Sequence, residues 1–340
     1  MASIRDVARL AGVSLSTVSR VVRGSPLVNA RTRARVEVAI AQVDYRPNLL
    51  AQGLRSRKGG VIGLVVPEII DEVFSTFIHH VERCCVERGF DLIVGNTAGH
   101  PETEGAFIEK LLRRQVDGII FSRFSDRSQV VSRIERRNVP VVVIDRAHDR
   151  EDIPTVVLDN YRAGLLAAEH LIGLGHRRLG EVTGPRDITL ARERHRGYAA
   201  AIRRHGLTLA PRHVLEGDFE FESGRAAAEA LFRQGRPDVT AVWCQADPMA
   251  VGVWSVLLNK GLRVPQDVSV MGMDNNVISQ MTVPPLTTVT QPFEEMCRRA
   301  VELVVAMHRG ERVKQRWVVL QPGIIVREST APPKRARERS

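Results

Sequence analysis

"IRDVARLAGVSLSTVSR", residues 4–20, decides how the N-terminal end of this chain folds. Ile4, Val7, Ala8 and Ala11 recur at helical spacing, which predicts a short amphipathic helix over 4–11. Gly12 stops it, because glycine takes the left-handed conformation of a sharp turn at little cost. Ser14 then suits the N-cap of a second helix over about 15–22. Val18, Val21 and Val22 supply its buried side, and small Ala8 opposite Val18 lets the two helices cross closely. Two helices so joined are a helix-turn-helix, whose second helix enters the major groove of DNA. The bland alternative is a helical hairpin with a polar outer face.

The predicted second helix exposes Leu15, Ser16, Thr17, Ser19 and Arg20. Arg20 can pair bidentately with guanine, and Leu15 can touch a thymine methyl. Thr17 and Ser19 suit phosphate oxygens, contacts that set register without reading sequence. A third helix fits 30–43, capped by Asn29, with Val36, Ala39, Ile40 and Val43 facing inward. Tyr45 closes this small core and Pro47 turns the chain away. "NLLAQGLRSRK", residues 48–58, is too short to be a stable isolated helix and contains Gly53. Alone it reads as a linker. Beside a DNA reader it becomes a segment that folds only against a partner and DNA. There Leu54 would wedge into a minor-groove step, with Arg55 and Arg57 near the backbone.

Charge placement supports the DNA-binding reading. The net charge over 340 residues is +10. Residues 1–60 carry 11 Lys/Arg against 3 Asp/Glu, and residues 327–340 carry 5 against 2. The stretch between them has 33 against 34, so a neutral body bears a basic head and a short basic tail. A localised basic head is the electrostatic footprint of a nucleic-acid binder. No apolar run approaches the roughly 20 residues that cross a bilayer. Arg5, Asp6 and Arg9 interrupt any leader, so a cytoplasmic protein is expected. Cys84 and Cys85 are adjacent while Cys244 and Cys297 stand apart; no pair has metal-ligand spacing, and all four read as small buried hydrophobes. Neither a metal nor a cofactor is expected.

From residue 60 onward apolar runs alternate with helical patterns. "VIGLVV" (61–66), "DLIVG" (91–95), "DGIIF" (117–121) and "PVVVID" (140–145) read as buried parallel strands, with helices over 73–88 and 103–115 between them. A second series follows at 179–184, 213–219, 240–245 and 268–274. Two series of βαβ units imply two doubly wound subdomains with ligands at the carboxyl ends of the strands. This is the periplasmic-binding-protein architecture, with chain crossings near Asp159–Asn160, 284–289 and 316–320. The strand ends carry Arg123, Asp145, Asp247 and Asp274; Phe219 follows "GD", and Arg194 enters a helix in "RERHRGY". Carboxylates facing an arginine can hold vicinal hydroxyls of a sugar or nucleoside by charge-assisted hydrogen bonds. Strand-end capping and ion pairing are the structural alternatives for each of these residues. No GxGxxG fingerprint or phosphate loop follows a strand, and the cysteines lack a histidine partner in sequence, so catalysis is not expected. His176, in "LGHRRLG", reads as structural.

Taken together, "IRDVARLAGVSLSTVSRVVRG", "VNARTRARV" and "YRPNLLAQGLRSRK" resemble the LacI/GalR family of bacterial repressors, almost without gaps over the first 60 residues and onward through the body. The resemblance implies that Leu15, Ser16 and Arg20 read operator bases. It places Ser14, Thr17, Ser19, Asn29 and Tyr45 at positions that contact phosphates or support such contacts, and Leu54 at the hinge-helix leucine that opens the central operator step. It implies effector contacts for Asp145, Arg194 and Asp274, with Asp71, Phe74, Phe219 and Gln291 lining the cleft. One departure is Ala246–Asp247, where the family usually has Asn-Asp. Arginines at 123 and 146 raise the alternative of an anionic ligand.

The expected organisation is then a helix-turn-helix domain over 1–47, a hinge over 48–59, a core over 60–330 and a disordered basic tail over 331–340. Within the core the N-subdomain would take about 60–159 plus 290–317, and the C-subdomain about 160–289 plus 318–330. The expected function is sequence-specific repression by a homodimer on a near-palindromic double-stranded DNA operator, controlled by a sugar or related metabolite, with no membrane association. A regulator that is effector-independent or needs a co-repressor stays open, as does, more remotely, a solute-binding protein. The tail lacks the leucine heptads of a tetramerising helix.

Overall fold

The computed structural model describes residues 3–22, 25–45, 60–123, 134, 138–146, 152–233 and 238–334. They form two units, Met1–Gly60 and Val61–Ser340.

In the first unit α1 (Ile4–Ala11) starts in a capping box: the Ser3 N–H donates to Asp6 Oδ2 at 3.0 Å while the Asp6 N–H donates back to Ser3 Oγ. Gly12 ends it in the left-handed conformation, φ 60°. α2 (Leu15–Val22) starts at Ser14, whose Oγ accepts from the Thr17 N–H at 3.2 Å. α3 (Ala30–Gln42) is capped by Asn29 Oδ1, which accepts from the Thr32 N–H at 2.8 Å. Val7, Ala8, Val18, Val36 and Ala39 close the core of this unit, with Ile40, Val43 and Tyr45 packed at its edge. The helices, their caps and their inward residues follow the sequence pattern. Residues 48–58, and Leu54 with them, lie outside the described residues.

The second unit has two sheets of six strands. The first holds β1 (Val61–Val66), β2 (Asp91–Asn96), β3 (Gly118–Phe121), β4 (Val141–Ile144), β5 (Thr155–Leu158) and β11 (Trp317–Leu320), in the order β11-β5-β4-β3-β1-β2. The second holds β6 (Leu179–Thr183), β7 (Val214–Glu216), β8 (Ala241–Cys244), β9 (Ser269–Met273), β10 (Thr287–Thr290) and β12 (Gly323–Ile325), in the order β12-β10-β9-β8-β6-β7. Every pairing is parallel except β10 with β12. Helices cover both faces, which is why the central strands are almost continuously buried. α4 (Glu72–Val86) and α11 (Phe293–His308) cover one face of the first sheet through Phe77, Val81, Val301 and Val304; α5 (Pro101–Arg113) covers the other with Ile108 and Leu111. On the second sheet α6 (Asn160–Gly173) and α7 (Thr189–Arg204) lie on one face, α8 (Phe221–Leu231) and α9 (Asp247–Asn259) on the other, and α10 (Ile278–Met281) is a single turn near α9. Cys84, Cys85, Cys244 and Cys297 are free and buried.

The chain crosses between sheets after β5, after β10 and between β11 and β12. β11 belongs to the first sheet, so the last crossing follows Leu320 rather than 317, and β10 stays in the second sheet to Thr290. The tail expectation also changes. Ala331 exchanges hydrogen bonds with the Ser269 hydroxyl at 3.1 Å, and its carbonyl lies 2.9 Å from His176 Nε2. Lys334 pairs with Asp267. Residues 331–334 are thus tied to the second sheet, while 335–340 lie outside the described residues. Burial pushes His176 down to about 4, so its neutral imidazole joins Thr240 to Ala331.

α7 is set in place by backbone contact. A Cβ on Gly164 of α6 would stand 1.9 Å from the Arg194 carbonyl, and one on Gly197 of α7 would stand 1.9 Å from the Tyr161 carbonyl. Tyr198 of α7 stacks on Trp243 of β8 with centroids 5.0 Å apart, and its hydroxyl donates to the Gly180 carbonyl at 3.1 Å. Gly164→Val must therefore force the two helices apart, at a cost of about 3 kcal/mol. Chemical denaturation of the variant checks this; an unchanged midpoint would show that the crossing tolerates a side chain.

Candidate functional site

Between the two sheets, at the carboxyl ends of their strands, lies a cavity of about 230 Å³. β4 delivers Asp145 and β9 delivers Asp274, both held at positive φ, 71° and 103°. These are conformations a side chain adopts at a cost, and they turn both carboxyls inward from the strand ends. α7 brings Arg194, which is 3% exposed. Its Nε donates to Asn160 Oδ1 at 2.9 Å and its Nη1 to the Gln245 carbonyl at 3.0 Å. Gln291, just past β10, donates Nε2 to Asp274 Oδ1 at 2.6 Å, while its Oε1 is buried with no hydrogen-bond partner among the described residues. Asp71 caps α4 by accepting from the Val73 N–H at 2.8 Å, which places Phe74 one turn in. Phe219, at φ 76°, lies over Gly184, where a Cβ would come within 2.0 Å of its ring.

The cavity therefore gathers Asp71, Phe74, Asp145, Arg194, Phe219, Asp274 and Gln291 from segments far apart in sequence. Arg123 and Asp247 are not in its wall. Arg123 is buried at the end of β3. Asp247 opens α9 and is fully buried; it accepts from the Asn276 N–H at 2.7 Å and the Thr288 hydroxyl at 2.8 Å, so it fixes the loop that carries Asp274. Residues that the sequence did not single out complete the wall: Glu72, Leu190, Glu220, Asn276 and Ile278. The Glu72 carboxylate accepts from the Val277 N–H, joining α4 to the segment before α10.

Burial dominates the electrostatics. It raises Asp274 to about 6, against the opposing pull of Arg194 and the Gln291 hydrogen bond. It raises Asp71 to about 6 as well, opposed by the Val73 N–H and reinforced by Asp274, Glu220 and Asp145. Asp145 is raised by burial and drawn back by Arg146 and Arg194. Asp71 and Asp274 thus bind protons more readily folded than unfolded, where the value is 3.8. Their contribution to the stability of the empty protein is therefore most favourable below about 4, declines as pH rises, and is least above about 6. Melts of the wild type and of Asp71→Asn/Asp274→Asn across this range should diverge as pH rises, with the variant gaining relative stability; parallel curves would contradict the assignment.

In the first unit α2 presents Leu15, Ser16 and Arg20 to solvent, with Leu15 45% exposed, and leaves Thr17 and Ser19 half-buried beside them. Ser14 Oγ lies 2.8 Å from both Ser16 Oγ and Thr17 Oγ1. Arg33 and Arg35 are committed within the fold, donating to the Ser25 carbonyl at 2.7 Å and the Ala11 carbonyl at 2.5 Å. The Arg20 side chain makes no ion pair among the described residues and is exposed. Tyr45 packs on the small core, and Asn29 serves as a cap.

A three-helix unit with a polar, cation-bearing second helix, on one chain with a two-sheet cleft of carboxylates and guanidinium, defines a ligand-responsive DNA-binding regulator. The chain belongs to the LacI family: residues 3–48 match the family model "Bacterial regulatory proteins, lacI family", and residues 168–330 match "Periplasmic binding protein-like domain". It is 35% identical over 332 residues to the HTH-type transcriptional repressor CytR of Escherichia coli (strain K12), covering 97% of this chain and 96% of that one. It is 36% identical over 332 residues to the ribose operon repressor of the same organism, covering 97% and 100%. The lac repressor dimer, solved bound to operator and the anti-inducer ONPF, superposes with a TM-score of 0.87 at 29% identity, covering 97% of this chain and 99% of that one. Among the described residues no helix is long and apolar enough to cross a membrane.

Proposed function

We propose that the protein is a cytoplasmic, homodimeric repressor that binds a near-palindromic operator and changes its operator affinity when a neutral polyhydroxylated metabolite, a sugar or nucleoside, occupies the cleft. It carries out no catalysis. The observation that carries this reading is the convergence of Asp145, Asp274, Arg194 and Gln291 on one cavity between two sheets. Ionised carboxylates accept from ligand hydroxyls, Arg194 donates to a ring or hydroxyl oxygen, and the unpaired Gln291 Oε1 accepts one further donor. Phe74 and Phe219 offer flat apolar surface. Five carboxylates (Asp71, Glu72, Asp145, Glu220, Asp274) face two guanidinium groups (Arg146, Arg194) in the wall. That surplus of negative charge favours a neutral ligand over an anionic one. The names of the ribose operon repressor and of the operator-bound lac repressor point to the same kind of partner and to a dimer.

On the DNA side Leu15, Ser16 and Arg20 read bases, Ser14, Thr17, Ser19, Asn29 and Tyr45 serve the backbone contacts, and Leu54 of the 48–59 hinge enters the minor groove. Asp145 follows β4 of the first sheet, while Asp274 follows β9 of the second and Arg194 lies on α7 beside it, so a ligand bridging them favours one angle between the sheets. In a dimer that angle sets the spacing of the two hinges. The change in operator affinity must equal the ligand's differential affinity for the two states. A thermal-shift screen of pentoses, hexoses and ribonucleosides tests the ligand class, since a ligand at 100 times its dissociation constant stabilises by about 2.7 kcal/mol. Stabilisation by organic acids or sugar phosphates alone would contradict it.

For the hinge, Leu54→Ala should weaken binding to the preferred operator by at least about tenfold while leaving non-specific duplex binding nearly unchanged. Equal losses on both DNAs, read by fluorescence anisotropy, would remove the wedge.

A further inference from the structure

Every residue of β6 is buried, yet its central residue is a glutamate, Glu181, 0% exposed. A carboxylate so placed is costly unless both of its oxygens are matched. Both are: His195 Nδ1 donates to Oε2 at 2.7 Å, and Gln245 Nε2 donates to Oε1 at 2.9 Å. Neither Glu181 nor His195 is in the wall of the cleft. We propose that Glu181 and His195 are a positioning pair for Arg194, acting through Gln245, and that the charge on His195 sets its strength. The proposal rests on the reading of Arg194 as a donor to the ligand.

Two contacts lead from the pair to the cleft. Gln245 follows β8, and its side chain is fully engaged. Nε2 is shared between Glu181 Oε1 and the Ala191 carbonyl, the latter at 3.2 Å, and Oε1 accepts from the Gly184 N–H at 3.1 Å. The backbone carbonyl of Gln245 accepts from Arg194 Nη1 at 3.0 Å. Ala191, Arg194 and His195 all belong to α7, and Ala191 and His195 stand one turn apart on one face of it. Glu181 and Gln245 therefore clamp the turn of α7 that carries Arg194.

The His195 side chain is 41% exposed, so its ring exchanges protons with solvent. The Glu181 hydrogen bond holds it above the usual histidine value, against partial burial and the charges of Arg186 and Arg203. Arg186 is balanced by Glu216 of β7 at 3.5 Å, and Arg196, next to His195 on α7, by Glu193 at 2.6 Å. Arg192 donates to Thr189 Oγ1 and to the Arg186 carbonyl. Tyr198 and Cys244 also face Glu181, and burial keeps both protonated and uncharged. Among the described residues, His195 is thus the group that changes charge beside Glu181 near neutral pH. While it is protonated, the buried carboxylate has its cation and Gln245 serves both of its own acceptors. When the proton leaves, Nδ1 still donates but the positive charge is gone, and Glu181 leans on its other donor, Gln245 Nε2. That draws the amide from the Ala191 carbonyl and shifts the carbonyl that holds Arg194. Effector affinity should then fall as pH rises through the His195 titration. The cleft carboxyls act in the opposite direction, since Asp71 and Asp274, at about 6, become better acceptors as pH rises.

The nitrogen-15 resonance of Arg194 Nε in the ligand-free full chain tests the pair, followed from about pH 5 to about pH 9 and identified by its loss in Arg194→Lys. It should move in two steps, one with the cleft carboxyls near 6 and a second with His195. His195→Gln should remove the second step and hold the resonance at its alkaline position. His195→Arg, a permanent cation at a half-exposed site, should also remove it but hold the resonance at its acid-side position. Glu181→Gln should abolish the second step although His195 still titrates. A resonance blind to His195, or a second step that survives Glu181→Gln, would overturn the proposal. In the panel of pentoses, hexoses and ribonucleosides, any that stabilises the wild type should bind at least about fivefold more weakly at about pH 9 than at about pH 7, and nearly equally at both in His195→Arg. An affinity that stays flat in the wild type would overturn the proposal as well. Failure of the whole panel would count against the neutral-ligand reading alone, because the Arg194 resonance is read without ligand.

Discussion

Arg194→Ala is expected to lower effector affinity by about a hundredfold, the worth of a charge-assisted hydrogen bond in a buried site. Arg194 is 3% exposed and stands between the charges of Asp145 and Asp274. Without it these two carboxyls, already raised by burial, lose the cation that opposes the shift. They take up protons and stop accepting from ligand hydroxyls. Removing the guanidinium also leaves Asn160 Oδ1 and the Gln245 carbonyl without a donor, and the empty core should lose about 3 kcal/mol. Arg194→Lys should recover little of the binding, because a lysine ammonium cannot hold both partners in the same plane. Operator affinity without effector should stay within about twofold, since Arg194 and α2 belong to different units of the chain. Titration calorimetry with the ligand found by thermal shift reads the first effect. Unchanged effector affinity would reduce Arg194 to a brace between α6 and α7.

Arg20→Ala is expected to cost about 1–3 kcal/mol per half-site and to relax discrimination at one base pair in each. In a dimer the two losses act together, so operator binding should fall by at least about thirtyfold while non-specific binding changes far less. The structure explains why Arg20 and not its neighbours. The head's positive charge is divided: Arg9 pairs with Asp6 at 2.6 Å, and Arg33 and Arg35 hold backbone carbonyls inside the fold. Arg20 projects from the last turn of α2 with no such commitment, beside exposed Leu15 and Ser16. Anisotropy titrations on the preferred operator and on a scrambled duplex separate the outcomes. Equal weakening on both would make Arg20 a phosphate contact.

The head was legible because every local signal agrees: Ser14 and Asn29 are caps, Gly12 is left-handed, and the inward stripe is periodic. β1, β3, β4, β6, β8 and β9 were legible because burial on both faces makes them largely apolar. β5, β10, β11 and β12 escaped because each has only three or four residues and lies beside a crossing of the chain between the sheets. Asp145 and Asp274 were found by strand-end logic, but the same logic placed Asp247 in the cleft. There the outcome turns on which way the side chain points: its Oδ1 lies where a Cβ on Gly272 would come within 2.1 Å, against β9 rather than toward the ligand. Asn160, Gln245 and the Gly164–Gly197 contact position Arg194 from remote segments, and nothing in their local sequence marks that role. Residues 331–334 read as a charged tail because composition cannot show that His176 and Asp267 wait to receive them.

The most direct test of the account is the operator dissociation constant of the full chain, on a site selected from randomised duplexes, with and without the ligand that stabilises the core. An inverted-repeat site is expected, with an affinity that shifts by the same factor by which operator shifts the ligand's affinity, and with that shift lost in Arg194→Ala. A ligand that fills the cleft yet leaves operator affinity unchanged would contradict the link between cleft and head.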